Sequence, residues 1–247
     1  MFDNISIPTI LVSYVALLFS LSVHEASHAS AAYYLGDDTA ERMGRMTLNP
    51  LAHMDFFGTF LFPLIGMTTT LPMIGWAKPV PVSPHRFTRS VTMRGGYALV
   101  SAAGPASNLV LSVLALLVLC LTLRFNVPGD IQRWNWFVGA LDGFESLERM
   151  KVGPTTALFL ALGGRLVLVN FGLAMFNLLP LGPLDGGGIL RGFLSTRAAN
   201  WFDAHVQHMS AVLLVLVFVG GLKYIFGPVF LVFNYVLSWV APTLLGV

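Results

Sequence analysis

The chain has 247 residues, of which 55% are hydrophobic and only 11% charged, and its mean hydropathy is +0.75. A soluble chain carries about a quarter charged residues, so this composition excludes a water-soluble globular protein and predicts an all-α polytopic membrane protein. The formal net charge of +2 gives no ground for a nucleic-acid partner, and the single cysteine, Cys120, excludes an intrachain disulfide or a thiolate metal cluster.

Residues 5–35 read as the first membrane span. No positively charged stretch precedes it, so it is expected to remain in the protein as a helix. Pro8 stands where a helix start tolerates proline, and Thr9 to Val23 carries no charge. Near the C-terminal end of this span lies His24-Glu25-Ala26-Ser27-His28. Positions i and i+4 share a helix face, so His24 and His28 can hold one cation together while Glu25 stands beside it. Zinc prefers neutral imidazole nitrogens and brings the pKa of a bound water down to about 7; a neighbouring carboxylate can then take the proton. The H-E-x-x-H pattern is short and arises by chance on soluble helices. Within a bilayer an ionisable side chain at mid-span costs about 2.5–3.5 kcal/mol, so three together favour a metal site.

Gly36, Asp37 and Asp38 end the span, and residues 39–56 are polar and turn-rich, with a short strand pair expected. Residues 57–75 are apolar but broken by Gly58, Pro63, Gly66 and Pro72, which predicts a re-entrant segment. Residues 75–84, with prolines at 79, 81 and 84, must be extended, and a basic loop with His85, Arg86, Arg89 and Arg94 follows. Residues 96–123 form a second span, in which Gly104-Pro105-Ala106-Ser107-Asn108 would let another helix approach closely; Asn108 reads as a helix-packing hydrogen bonder or a site residue, with packing favoured, and Cys120 as a small buried hydrophobe. Residues 124–157 carry a balanced set of charges and read as a solvated connection, anchored at the interface by Trp134 and Trp136. A third span over 158–180 leads into Asn177-Leu178-Leu179-Pro180 and then Asp185-Gly186-Gly187-Gly188, after which Arg191, Arg197 and Asp203 mark a surface loop. Residues 209–246, apolar apart from Lys223, fit two closing spans joined near Gly220. His53 and His85 each sit alone in a polar loop and read as surface or turn-stabilising residues. His205 and His208 have a spacing zinc can use, but they lie on the approach to the next span and read as interfacial.

His24-Glu25-x-x-His28 on an early span, Gly104-Pro105 with Asn108 on a middle one, and Asn177-x-x-Pro180-x-x-x-x-Asp185-Gly186-Gly187 on a later one together resemble the site-2 protease family of intramembrane zinc metalloproteases. Leu48-Asn49-Pro50 with His53, and Trp76-Ala77-Lys78-Pro79-Val80-Pro81, resemble its compact prokaryotic branch. The resemblance implies that Asp185 is the third ligand of a Zn2+ ion held by His24 and His28. It also implies that Asn177 lies close to the metal and assists with the substrate or the oxyanion. Ser27, where glycine is common, and Gly182, where proline is common, depart from the pattern without removing a ligand. The expected organisation is one membrane protease domain over 1–247, its core at about 5–190 and its closing helices at about 209–246, with five to six spans and short strands near the site. There is no room for a PDZ or CBS domain.

Ligands on the first span and beyond the third can converge only if both ends face the same side, which holds if 96–123 and 158–180 cross the membrane and 57–75 does not. Eight lysines and arginines then fall on the site's side against six on the other, which favours a site facing the cytoplasm of a prokaryotic cell membrane. The expected reaction is hydrolysis of a peptide bond in or near a transmembrane segment of another membrane protein, with Glu25 as general base. A relative that binds such clients without cutting them, or a zinc transporter, is the alternative.

Overall fold

The computed structural model describes residues 7–68, 75–88 and 90–247. Helix α1 (Ile7–Tyr34) carries no charged residue before Glu25, and four of its serine hydroxyls are satisfied within the helix: Ser20, Ser22, Ser27 and Ser30 each donate to the carbonyl four residues back, at 2.6–2.8 Å. Such back-bonding lets serine sit in lipid, where water cannot serve it. Two short helices follow, α2 (Thr39–Arg42) and α3 (Pro50–His53), the second with Pro50 at its first position and the Asn49 side chain accepting from Leu51 N–H. A π-helical turn at Phe56–Leu61, capped by Asp55 through Gly58 N–H at 2.8 Å, runs into α4 (Phe62–Thr68).

Among the described residues, five helices are long and apolar enough to cross a membrane: α1, α5 (Met93–Asn126), α8 (Pro154–Asn177), α10 (Thr196–Phe218) and α11 (Leu222–Leu245). Between them lie α6 (Asp130–Asp142), α7 (Phe144–Arg149) and α9 (Asp185–Phe193). Helices α1, α5 and α8 pack on one another as the central bundle, with α9 against α5 and α6–α7 against α8. The all-α polytopic architecture thus agrees with the composition.

Three local expectations need correction. No strand forms among the described residues: 39–49 holds α2 and turns, and 75–83 is extended without a ladder. The cause lies in the partners. Prolines 79 and 81 have no N–H, while Lys78, Val80 and Ser83 donate to His53 O, Glu25 Oε2 and Asp37 Oδ2 instead of to a neighbouring strand. Residues 124–157 are not a solvated connection. Phe137 and Ala140 on α6 and Phe144 and Leu147 on α7 are buried in the largest apolar core, with Leu119, Cys120 and Leu123 of α5 and Ala157, Leu160 and Ala161 of α8. Their helical spacing turns Asp130, Asp142, Glu148 and Arg149 outward, and the Arg165 guanidinium donates to Asp142 O at the end of α6. A Cβ at Gly164 would overlap Ala140 O, so glycine there lets α8 and α6 meet backbone to backbone. Finally, the expected loop of Arg191, Arg197 and Asp203 is helical, since α9 contains Arg191 and α10 begins at Thr196; Arg191 and Asp203 pair at 2.5 Å.

The re-entrant reading of 57–75 is supported at its two ends, with 69–74 lying outside the described residues. The thirteen helical residues of 56–68 cover about 20 Å, short of the roughly 30 Å of a bilayer core. Trp76 N–H donates to Gly58 O at 3.0 Å, so the chain is back at the level of its departure by residue 76.

Candidate metal centre

His24 and His28 stand ten and six residues before the end of α1, or roughly 15 and 9 Å along its axis. Gly104, eleven residues into α5, lies at roughly 16 Å from that helix's start, so the two antiparallel helices meet at one depth. The meeting is tight. A Cβ at Gly104 would overlap His28 Nε2 and come within 2.6 Å of His24 Cε1, so only glycine leaves the imidazoles their places. Asp185, the first residue of α9, arrives from the far side: its carboxylate oxygens lie 3.1 Å from His24 Nε2 and 3.3 Å from His28 Nε2, and the two Nε2 atoms are 3.1 Å apart. Between α1 and α9 the chain runs through α5 and α8, both long enough to cross a membrane, and this even number returns Asp185 to the level of the histidines.

Both imidazoles are turned by bonds at their other nitrogen. His24 Nδ1 lies 2.6 Å from Asn108 Oδ1 and His28 Nδ1 lies 2.7 Å from Val100 O. Both partners are acceptors, so each Nδ1 carries the hydrogen and, in the neutral imidazole, each Nε2 presents a lone pair. In that neutral form two lone pairs and a carboxylate converge, and Asp185 Oδ2 is buried without a hydrogen-bond donor. This arrangement calls for a cation. Bonds of about 2.0–2.1 Å to a tetrahedral ion separate its ligands by about 3.3 Å, which matches the spacing here. His24, His28 and Asp185 are the one such group of potential ligands among the described residues.

A cavity of about 420 Å³ opens onto the triad, lined by Glu25, Trp76, Val80, Tyr97, Asn177 and Asp185 among others. Glu25 is buried, and its Oε2 accepts from Val80 N–H at 3.0 Å. Asn177 donates one amide hydrogen to Leu173 O at 3.0 Å and faces the same cavity. All five residues singled out in the sequence, His24, Glu25, His28, Asn177 and Asp185, thus border one space.

The extended stretch 75–83 forms a wall of that space and is tied down along its length. Lys78 N–H donates to His53 O at 2.8 Å, Thr59 Oγ1 donates to Trp76 O at 2.8 Å, and the buried Arg45 guanidinium donates to Lys78 O. Asp37, fully buried, accepts from Ser83 N–H at 2.6 Å and from the N–H and hydroxyl of Thr39, with Arg86 nearby. Burial pushes its carboxyl up, but the hydrogen bonds from Thr39 and Ser83 and the Arg86 charge outweigh this and hold it below the usual carboxylate value. His53 fits the turn-stabilising reading, with Nε2 2.8 Å from Thr47 O. Of the two readings open for Asn108, the favoured packing role is joined by the other, a site residue, because its Oδ1 lies 2.6 Å from His24 Nδ1. Asn170 on α8, bonded to Asn108 at 2.7 Å, had no sequence signal beyond being a lone amide in an apolar run.

The peptidase family M50 model matches residues 12–220. "Putative zinc metalloprotease YwhC" of Bacillus subtilis (strain 168) is 37% identical over 176 residues, covering 71% of this chain and 66% of that protein. "Putative zinc metalloprotease Rip2" of Mycolicibacterium smegmatis is 30% identical over 219 residues, covering 88% of this chain and 71% of that one. No solved structure gives a significant match. The chain belongs to peptidase family M50, the site-2 protease family, as its motifs suggested.

Proposed function

We propose that this protein is a zinc-dependent endopeptidase that cuts a peptide bond in or near a transmembrane segment of another membrane protein. The observation that carries the reading is the convergence of three potential metal ligands beside Glu25, about 15 Å inside a helix long enough to span a membrane. The ligands would be His24 Nε2, His28 Nε2 and the Asp185 carboxylate. Zinc bound there supplies a Lewis acid and brings the pKa of its water to about 7. The Val80 N–H on Oε2 orients the Glu25 carboxylate, whose other oxygen, Oε1, takes the proton of the attacking water and returns it to the leaving amine nitrogen. The second amide hydrogen of Asn177 is the donor assigned to the substrate carbonyl oxygen as negative charge develops on it.

A helical substrate hides its carbonyls in its own hydrogen bonds, so it must unwind before attack. The extended wall 75–83 supports pairing with the unwound segment, and its prolines at 79 and 81 offer carbonyls only, which favours a substrate strand presenting N–H groups. The excess of lysine and arginine on the site's side supports a cytoplasm-facing site in a prokaryotic cell membrane. Zinc transport finds no support, because the described residues hold no second ligand group along a path.

The test is zinc content and cleavage of a model transmembrane substrate by detergent-purified protein, wild type against Glu25→Gln. One zinc per chain in both, with cleavage only by the wild type, is the expected result. Equal cleavage by Glu25→Gln would remove the general-base assignment, and zinc without cleavage in the wild type would favour a client-binding relative.

A further inference from the structure

His24 can offer Nε2 to a metal only while its hydrogen stays on Nδ1. For His28 that choice is made by a backbone carbonyl, Val100 O, which can only accept. For His24 it is made by a side-chain amide, and an amide can turn over. With Asn108 reversed, its NH2 would face Nδ1 and drive the hydrogen to Nε2, where the metal must sit.

A chain of buried bonds prevents the reversal. Asn170 Nδ2 lies 2.8 Å from Leu166 O and 2.8 Å from Ser20 Oγ, whose own hydrogen goes to Ala16 O at 2.6 Å. A carbonyl accepts only, and this serine oxygen has no hydrogen left to donate, so both require the NH2 of Asn170 on their side. Its Oδ1 then faces Asn108 Nδ2 at 2.7 Å, and Ser20 O, 3.3 Å from the same nitrogen, makes the same demand. Asn108 Oδ1 is left for His24. The amide orientations follow from the network as a whole, and Ser20, Asn108 and Asn170 are all fully buried.

We infer that Ser20, Asn170 and Asn108 form a relay, anchored on backbone carbonyls of α1 and α8, that fixes the Nδ1–H tautomer of His24. Asn170 is thereby a positioning residue for the metal centre without touching it. The inference rests on the proposed metal site only in taking His24 Nε2 as a ligand, and its first readout needs no metal.

The experiment takes full-length protein with 15N-labelled histidine, metal-free, and reads the His24 tautomer by NMR; Zn2+ affinity is then measured by chelator competition. Wild type is expected to hold one tautomer, Nδ1–H. Asn170→Leu is expected to admit the Nε2–H form and to lose Zn2+ affinity by about 10- to 100-fold, the usual cost of removing an outer partner of a ligating histidine. Ser112→Ala is the structural control. It removes another buried α5–α8 hydrogen bond, Ser112 Oγ to Val167 O at 2.8 Å, and should change neither readout. In the double variant Asn108→Asp with Asn170→Leu, a carboxylate that can only accept replaces the amide, and the tautomer and affinity should return. Should Asn170→Leu not fold, Asn170→Ala carries the same comparison. A single Nδ1–H tautomer with unchanged affinity in the Asn170 variant, equal losses in Ser112→Ala, or no return in the double variant overturns the relay. Failure of wild type to bind Zn2+ would overturn the metalloprotease reading instead, while the metal-free tautomer would still decide the relay.

Discussion

Helices α1, α5 and α8 meet twice, and the two meetings have opposite chemistry. Towards the site they touch through Ser20, His24, Gly104, Asn108 and Asn170, with amides and imidazoles bonded across three helices. Towards the other end they touch through Leu119, Cys120, Leu123, Ala157, Leu160, Ala161 and Val12, closed over by α6 and α7 with Phe137 and Leu147. In a bilayer, apolar contact between helices competes with lipid chains that are equally apolar, so the dry end is held by close fit and the polar end by directional bonds. Changes at the polar end should therefore act on metal and activity, and changes at the dry end on stability.

Gly104→Ala should break this division most sharply. Its methyl would overlap both imidazoles, so Zn2+ affinity should fall by at least about 100-fold, the upper range for disturbing a ligand's support. Chelator competition reads the loss. Metal binding as in wild type would mean that α1 and α5 do not meet in this way.

Phe137→Ala is the counterpart at the dry end. Core phenylalanine truncations cost about 3–5 kcal/mol, and the lower figure is expected because lipid weakens the transfer part. Denaturant titration in detergent should show the loss, while zinc stoichiometry stays at one. Loss of zinc without loss of stability would erase the contrast between the ends.

How much of this was legible in the sequence depends on the range of each signal. His24, Glu25 and His28 were readable because a helix puts i and i+4 on one face. Asp185 lies far along the chain at the glycine-rich start of α9, and only the family resemblance singled it out; the fold shows why, since α9 must double back against α5 to reach the triad. Asn170 was not readable, because a lone amide in an apolar helix looks the same whether it faces a neighbouring helix or holds another side chain in place. The misreading of 124–157 came from counting charges. Asp130, Arg133, Asp142 and Glu148 mark solvent, but Phe137, Ala140, Phe144 and Leu147 recur at helical intervals between them and face inward. The expected strands failed for a different reason: residues 78, 80 and 83 found carbonyl or carboxylate partners in the core of the site.

Acid should test the wall of the cavity separately, through Asp37. Asp37 titrates below its usual value in the folded protein, so its contribution is complete above the unfolded pKa of about 3.9 and is lost as pH falls through the lower folded value. Between those two values, local opening at Ser83 should rise about tenfold per pH unit, read as hydrogen exchange of its amide. Asp37→Asn should lose that dependence. An identical pH profile in the variant would show that another group controls the wall.

The smallest expected effect falls at the boundary between the two ends. Ser112 is buried in α5, four residues or just over one turn beyond Asn108, and donates to Val167 O on α8 at 2.8 Å. Bonds of this kind between membrane helices average about 0.6 kcal/mol, because the separated helix finds other partners for its hydroxyl, here the carbonyl four residues back. Ser112→Ala should therefore shift unfolding by about that amount and leave zinc affinity as it was. A loss of several kcal/mol would mean that polar bonding, and not close fit, also holds the dry end, and the two meetings of α1, α5 and α8 would then be one continuous structure.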